Sequence, residues 1–169
     1  MQTWSCFIPG SPVGRAEKRV TFTIRGKDGQ SRQINKLADK DKQSSYKSYF
    51  RTFIADRRPA ELLDGPLQLT IWVYRERPKS LPKRVSFPAT RPDWTNYAKL
   101  LEDCLTGIVI RDDALVVTAV VHKRYSESPG VWIEVREIQQ ARASHDGFEL
   151  IGETREPKRD TPAGGKAGG

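Results

Sequence analysis

In residues 67–74, Leu67, Leu69, Ile71 and Val73 alternate with Gln68, Thr70, Trp72 and Tyr74. Successive side chains of a strand point to opposite faces, so this run predicts a half-buried β-strand. It is the clearest strand in the chain, and segments of helical period flank it. Before it, Tyr46, Tyr49, Phe50, Phe53 and Ile54 fall at i, i+3, i+4, i+7 and i+8, which predicts a helix from Asp39 that ends by Pro59. After it, Tyr97, Ala98, Leu101, Cys104 and Leu105 repeat the spacing over 94–106, and Gly107 stands where a left-handed helix stop is wanted.

Shorter signals complete the pattern. Residues 4–8 read as a strand stopped by Pro9-Gly10-Ser11-Pro12, and Val20, Phe22 and Ile24 alternate with threonines before a turn at 26–29 that returns the chain through 31–34 as a hairpin. Residues 115–121 and 131–138 read as two more strands. The order β, hairpin, α, β, α, β, β predicts an α+β fold: a single small domain over 1–138, with a mixed β-sheet and two main helices. Periodicity fades from 139, and residues 139–169 form a polar C-terminal extension whose Gly-rich end is expected to be flexible.

Composition narrows the function classes. No apolar run approaches the ~18 residues of a membrane span, and the first twelve residues lack a signal peptide's charged start and apolar core, so neither insertion nor export is expected. Cys6 and Cys104 are too few for a disulfide framework or a structural zinc site, which makes the reducing cytoplasm the expected compartment and core packing the expected use of both thiols. The net charge of +8 is unevenly divided. Residues 1–90 carry 18 Lys/Arg against 8 Asp/Glu, residues 91–138 carry 6 against 8, and the extension carries 5 against 5. A basic half joined to a small acidic segment suggests a polyanion-binding surface around a site that tolerates concentrated carboxylates.

In that acidic segment, Asn96, Lys99 and Asp103 at i, i+3 and i+7 are expected on one helix face, with Asp93 at the helix N-terminus. A chain reversal at Asp112-Asp113 would return these two carboxylates toward the same helix end. Such oxygen ligands suit Mg²⁺, with Mn²⁺ as the alternative ion. A lysine beside them would neutralise charge on a phosphate in its transition state. Each piece also has a plain structural reading. Asp93 would serve as a helix N-cap, Asp112-Asp113 as a turn pair, and Lys99 with Asp103 as a surface ion pair.

The run Pro92-Asp93-x-x-Asn96-x-x-Lys99-x-x-x-Asp103-x-Leu105-x-Gly107, followed by Asp112-Asp113-Ala-x-Val116-Val117 and then Lys123, resembles the signature of the RusA family of Holliday junction resolvases. Phe7-x-Pro-Gly10-x-Pro12 is similar to the family's opening strand and turn. The resemblance implies a homodimeric, Mg²⁺-dependent crossover junction endodeoxyribonuclease with no organic cofactor, which nicks two strands of a four-way junction symmetrically. It makes Asp93 and Asp113 metal-binding catalytic acids and Lys99 the essential lysine. Asn96, Asp112 and Asp103 become supporting groups, with Asp112 also in the metal shell. The sequence departs from the pattern at Thr95, where better-known members carry a second aspartate. A hydroxyl cannot replace that carboxylate's charge, so either Asp103 and Asp112 compensate or activity is weakened.

For the DNA arms, the cations of the loop 75–92, Arg77, Lys79, Lys83, Arg84 and Arg91, are the expected phosphate contacts, together with those of the 39–58 helix. Trp72, Phe87 and Trp94 are candidates for stacking or wedging at an opened junction, against the commoner use of such rings in a core or a dimer interface. Two other readings stand beside the resolvase. One is a phage endonuclease of the same fold acting on branched or replication-fork DNA; the other is a DNA-binding accessory protein weakened in catalysis through Thr95.

Overall fold

The computed structural model describes residues 1–15, 19–25, 31–37 and 40–139. Strand β1 (Thr3–Pro9) is followed by the hairpin β2 (Arg19–Arg25) and β3 (Ser31–Leu37), helix α1 (Lys40–Ala55), strand β4 (Leu67–Glu76), helix α2 (Trp94–Leu105), and strands β5 (Val116–Ser126) and β6 (Gly130–Glu137). Four strands make one mixed sheet in the order β1-β6-β4-β5. Strand β6 is antiparallel to both neighbours, and β5 is parallel to β4. Strands β2 and β3 pair antiparallel as a separate ribbon. The turn at 26–29 and the extension from 140 onward lie outside the described residues.

One face of the sheet carries the core. Trp4, Cys6 and Ile8 of β1, Leu67, Leu69, Ile71 and Val73 of β4, and Val131, Ile133 and Val135 of β6 pack against Phe50 and Ile54 of α1 and Tyr97, Leu100, Leu101, Cys104 and Leu105 of α2. Both cysteines are free and buried as expected, and burial pushes the Cys104 thiol up to about 11.

Strand β4 departs from the half-buried strand that its alternation predicts, because Gln68, Thr70, Trp72 and Tyr74 are buried as well. Its central place in the sheet accounts for this. Trp72 faces Trp132 across the β4–β6 pair and stacks on His122 of β5 at 3.9 Å, while Tyr74 packs against Phe7. At Trp72 and Tyr74 the second face of β4 therefore carries an aromatic layer.

Strand β5 runs five residues past its predicted end. Residues 122–126 lack apolar alternation, but as a sheet edge they take their order from backbone pairing with β4. Helix α2 ends as expected: Gly107 adopts φ +77°, a region open to glycine, and its N–H donates to the Ile110 carbonyl at 2.8 Å.

Candidate active site and nucleic-acid interface

The β4–α2–β5 crossover positions the carboxylates. Asp93 occupies the N-cap of α2 in extended conformation, yet its side chain makes no capping hydrogen bond, so the carboxylate is exposed at the positive end of a helix with no hydrogen bond among the described residues. The loop that presents it is braced. Lys123 of β5 donates to the carbonyls of Thr90 (2.9 Å) and Pro92 (3.0 Å), and Arg75 of β4 donates to the Thr90 hydroxyl (3.1 Å) and carbonyl (3.4 Å). Burial and then the neighbouring Arg75 cation lower the Lys123 pKa from its ordinary value, with the Asp93 carboxylate acting in the opposite sense.

On its other side the loop is covered by the N-terminal segment. The Arg15 N–H donates to the Asn96 carbonyl at 2.9 Å, and a Cβ added to Gly14 would stand 2.6 Å from Pro92 Cβ. Lys123 was singled out only as the last residue of the motif; the structure makes it the clamp of the Asp93 loop. Lys123→Met is expected to remove both charge-assisted bonds, lower stability by about 1–2 kcal/mol in thermal melts, and depress nicking of branched DNA through a misplaced Asp93. Gly14→Ala is expected to push the Pro92 ring away, with a loss of ~1–2 kcal/mol in the same melts, since overpacking at a close approach must move backbone.

Asp112 and Asp113 lie at the opposite end of the crossover. The 106–112 turn is pinned by the Leu63 N–H to the Val109 carbonyl (2.9 Å), by the Arg111 N–H to the Leu63 carbonyl (3.1 Å) and by the Arg111–Asp64 ion pair (3.0 Å). Asp112 then caps the short 3₁₀ turn Asp113–Leu115, its carboxylate accepting from the Ala114 N–H at 2.8 Å. The turn reading of this residue is thus observed. Asp113 is exposed and acts on Glu102, in the last turn of α2: burial, then Asp113, then Asp103 raise the Glu102 pKa.

The expected return of the two aspartates to the Asp93 end of the helix is therefore corrected. Asp93 lies beside Lys123, and Asp113 precedes Val116; the seven residue steps of β5 from 116 to 123 span about 23 Å. Because β5 is parallel to β4, the chain must travel down the whole of α2 before β5 can begin, which fixes Asp93 and Asp113 at opposite ends. Among the described residues, no three His, Cys, Asp or Glu side chains gather where a metal ion could be held.

The predicted polar face of α2 also changes. Asn96 is 7% exposed, covered by Gly14, Arg15 and Pro92, and its Oδ1 has no hydrogen-bond partner among the described residues. Lys99 is exposed, while Asp103 pairs with Lys47 of α1 at 2.7 Å in place of the expected Lys99. Thr95 and Glu102, half-buried, flank the exposed Lys99 at i, i+4 and i+7. Glu102 was missed in the sequence, although that spacing could have found it.

The expected DNA-contacting cations divide into two groups. Of those expected on the 39–58 helix, Lys47, Arg51 and Arg57 are engaged within the fold: Lys47 pairs with Asp103, Arg51 donates to the carbonyls of Asp103, Cys104 and Thr106, capping the C-terminus of α2, and Arg57 lies over the Phe53 ring at 3.9 Å. Arg77 braces the 77–93 loop through the Pro82 carbonyl (2.9 Å) and the Tyr125 ring. Lys79, Lys83, Arg84 and Arg91 remain exposed, with no ion pair among the described residues. Local backbone bonds and a tie from the Tyr125 N–H to the Ser86 carbonyl order this loop and set those four cations beside the Asp93 end of the molecule.

No helix among the described residues is long and apolar enough to cross a membrane. Among curated proteins, the uncharacterized protein YqaN of Bacillus subtilis (strain 168) is 33% identical over 112 residues, which cover 60% of this chain and 79% of that protein. The family model described as endodeoxyribonuclease RusA matches residues 9–136, a span that takes in the braced Asp93 loop, α2, the Asp112-Asp113 turn and Lys123. The mixed four-stranded sheet with two helices and the match over most of its length agree, and the chain belongs to the RusA endodeoxyribonuclease family.

Proposed function

We propose that the protein is a divalent-metal-dependent, structure-selective endonuclease that resolves four-way DNA junctions by paired symmetric nicks and works as a homodimer. The observation that carries this reading is the presentation of Asp93: a carboxylate at a helix N-terminus with no capping bond, on a loop fixed by Lys123 and Arg75, beside four exposed cations. A side chain with no hydrogen bond among the described residues, on a loop so firmly held, suits a ligand-binding role.

The donor chemistry fits a hard cation such as Mg²⁺, since Asp93 and Asp113 offer exposed carboxylates and Thr95 a hydroxyl. One chain holds Asp93 and Asp113 at opposite ends of α2, which supports a two-fold dimer in which Asp93 of one protomer meets the partner's Asp113. Such a dimer would carry two equivalent sites, as two symmetric nicks require. When bound, the cation supplies Lewis-acid chemistry at the phosphodiester and eases ionisation of a water. The rest belongs to the chain. Lys99 donates to the phosphoryl oxygens as their charge grows, while Lys79, Lys83, Arg84 and Arg91 hold the DNA backbone without reading its sequence.

The test offers a synthetic four-way junction, a fork and a linear duplex to the protein in Mg²⁺ and in EDTA. Paired nicks in the junction alone, lost in EDTA, are the expected result. Equal cutting of the fork would shift the substrate to branched DNA in general, and binding without cleavage under Mg²⁺ or Mn²⁺ would refute the nuclease reading.

A further inference from the structure

Beside Asp93, the edge of the sheet opens into a cavity of about 340 Å³ lined by Phe87, Pro88, Ala89, Trp94, Val121, His122, Lys123 and Arg124. Its rings are large and uncovered: Phe87 is 62% exposed and Trp94, the first residue of α2, is 56% exposed. Exposure of one such ring needs no explanation, but two in one concavity mark a binding surface. The floor is already built. His122 stacks on the buried Trp72 at 3.9 Å and 20°, and the Arg124 guanidinium lies 4.1 Å from the Phe87 ring centre and 5.8 Å from that of Trp72. A guanidinium placed against these rings adds a planar cation to the cavity wall.

We propose that this cavity receives one unstacked nucleobase of the strand being cut, held against Trp94 and Phe87 while Arg124 and Lys123 face its backbone. The inference rests on the endonuclease reading above and adds to it how an opened junction is distinguished from duplex. Charge and shape favour this occupant. Aromatic faces and a planar cation match a π-system joined to an anion, whereas an apolar segment of a second copy would strip water from Arg124 without compensation. Adjacency favours it too. Trp94 follows Asp93 directly, and Lys123 lines the cavity while clamping the Asp93 loop, so a base seated here flanks the phosphate nearest Asp93. In an intact duplex every base is stacked and none can enter. At the branch point of an opened junction coaxial stacking is interrupted, so freeing a base costs less there than within an arm.

The experiment uses a four-way junction carrying 2-aminopurine, placed in turn at the positions flanking the nick and within an arm, bound to the full chain in EDTA. Wild type is expected to change the probe's fluorescence at one flanking position and not in the arm. W94A and F87A are expected to abolish that change and to weaken junction binding by about tenfold, the loss that base–aromatic stacking implies. W94F, which keeps a ring, should retain both. An abasic residue at the responsive position should bring wild-type binding down to the W94A level and leave W94A unaffected. A junction bound and cut normally with a silent probe at every position, or W94A binding as wild type, would overturn the cavity's role and leave the endonuclease reading standing. Sedimentation of W94A as a monomer when wild type is a dimer would assign the cavity to the subunit interface and overturn it as well. If wild type neither binds nor cuts the junction, the endonuclease reading fails first and the base pocket with it.

Discussion

Asp93→Asn is expected to abolish nicking of a four-way junction while leaving the fold intact and junction binding equal or tighter. The Asp93 side chain makes no capping hydrogen bond, so the isosteric amide removes its charge without removing a helix cap. Melts should therefore coincide with wild type, within the roughly ±0.5 kcal/mol usual for surface changes. The nicking rate should fall by more than about a hundredfold, because loss of a group that only supports a metal ligand already costs 10–100-fold. Binding in EDTA should hold or tighten, since one anion facing the phosphates is gone. Asp113→Asn should behave alike, because the capping bond of that turn belongs to Asp112 and not to Asp113. If either variant cuts at the wild-type rate, that residue is not part of the site.

The second large effect follows from the distance between the two aspartates. Co-expressed D93N and D113N chains are expected to recover cleavage that neither has alone. In a dimer whose sites each pair Asp93 of one protomer with the partner's Asp113, the mixed dimer has one site with both residues altered and one with both intact. Random pairing then restores about a quarter of the wild-type sites. Each active mixed dimer should make a single nick, so junctions accumulate as singly nicked species rather than resolved duplexes. If each site lay within one protomer, every mixed dimer would carry two dead sites and no activity would return. The readout is a plasmid-borne or synthetic junction assay on mixed dimers purified through two different tags.

Both expectations depend on a feature that the sequence does not display. Asp93, Lys99 and Asp113 could be picked out because their spacing and chemistry are local properties of the chain. So could the helix 94–106, the glycine that ends it and the strand 67–74, since period and turn chemistry need no knowledge of neighbours. Asp112-Asp113 read correctly as a turn pair, yet the end of the helix to which it returns depends on strand order. A parallel β5 forces the return to the Glu102 end, and the residues themselves do not reveal that pairing. The burial of Asn96 was hidden for a similar reason. Its helix position points outward by period, and it is covered by Pro92 together with Gly14 and Arg15, some eighty residues earlier in the chain.

The basic residues show the same division. Their excess in the first half is a sum over side chains and is fully visible in the sequence, but the use of each charge is not. Lys47 and Arg51 carry the same charge as Lys83 and Arg84, and they are drawn to Asp103 and to the carbonyl end of α2 because α1 packs there. Lys123 is drawn to two backbone carbonyls because β5 lies beside the loop that precedes α2. By itself the sequence determined the elements, the candidate site residues and the family pattern, all of which follow from neighbours within a few positions. The tertiary structure alone decided which carboxylate stands free, which cations are engaged within the fold, and that one protomer separates Asp93 from Asp113. Those outcomes depend on strand order and on groups far apart in the chain meeting at hydrogen-bond distance.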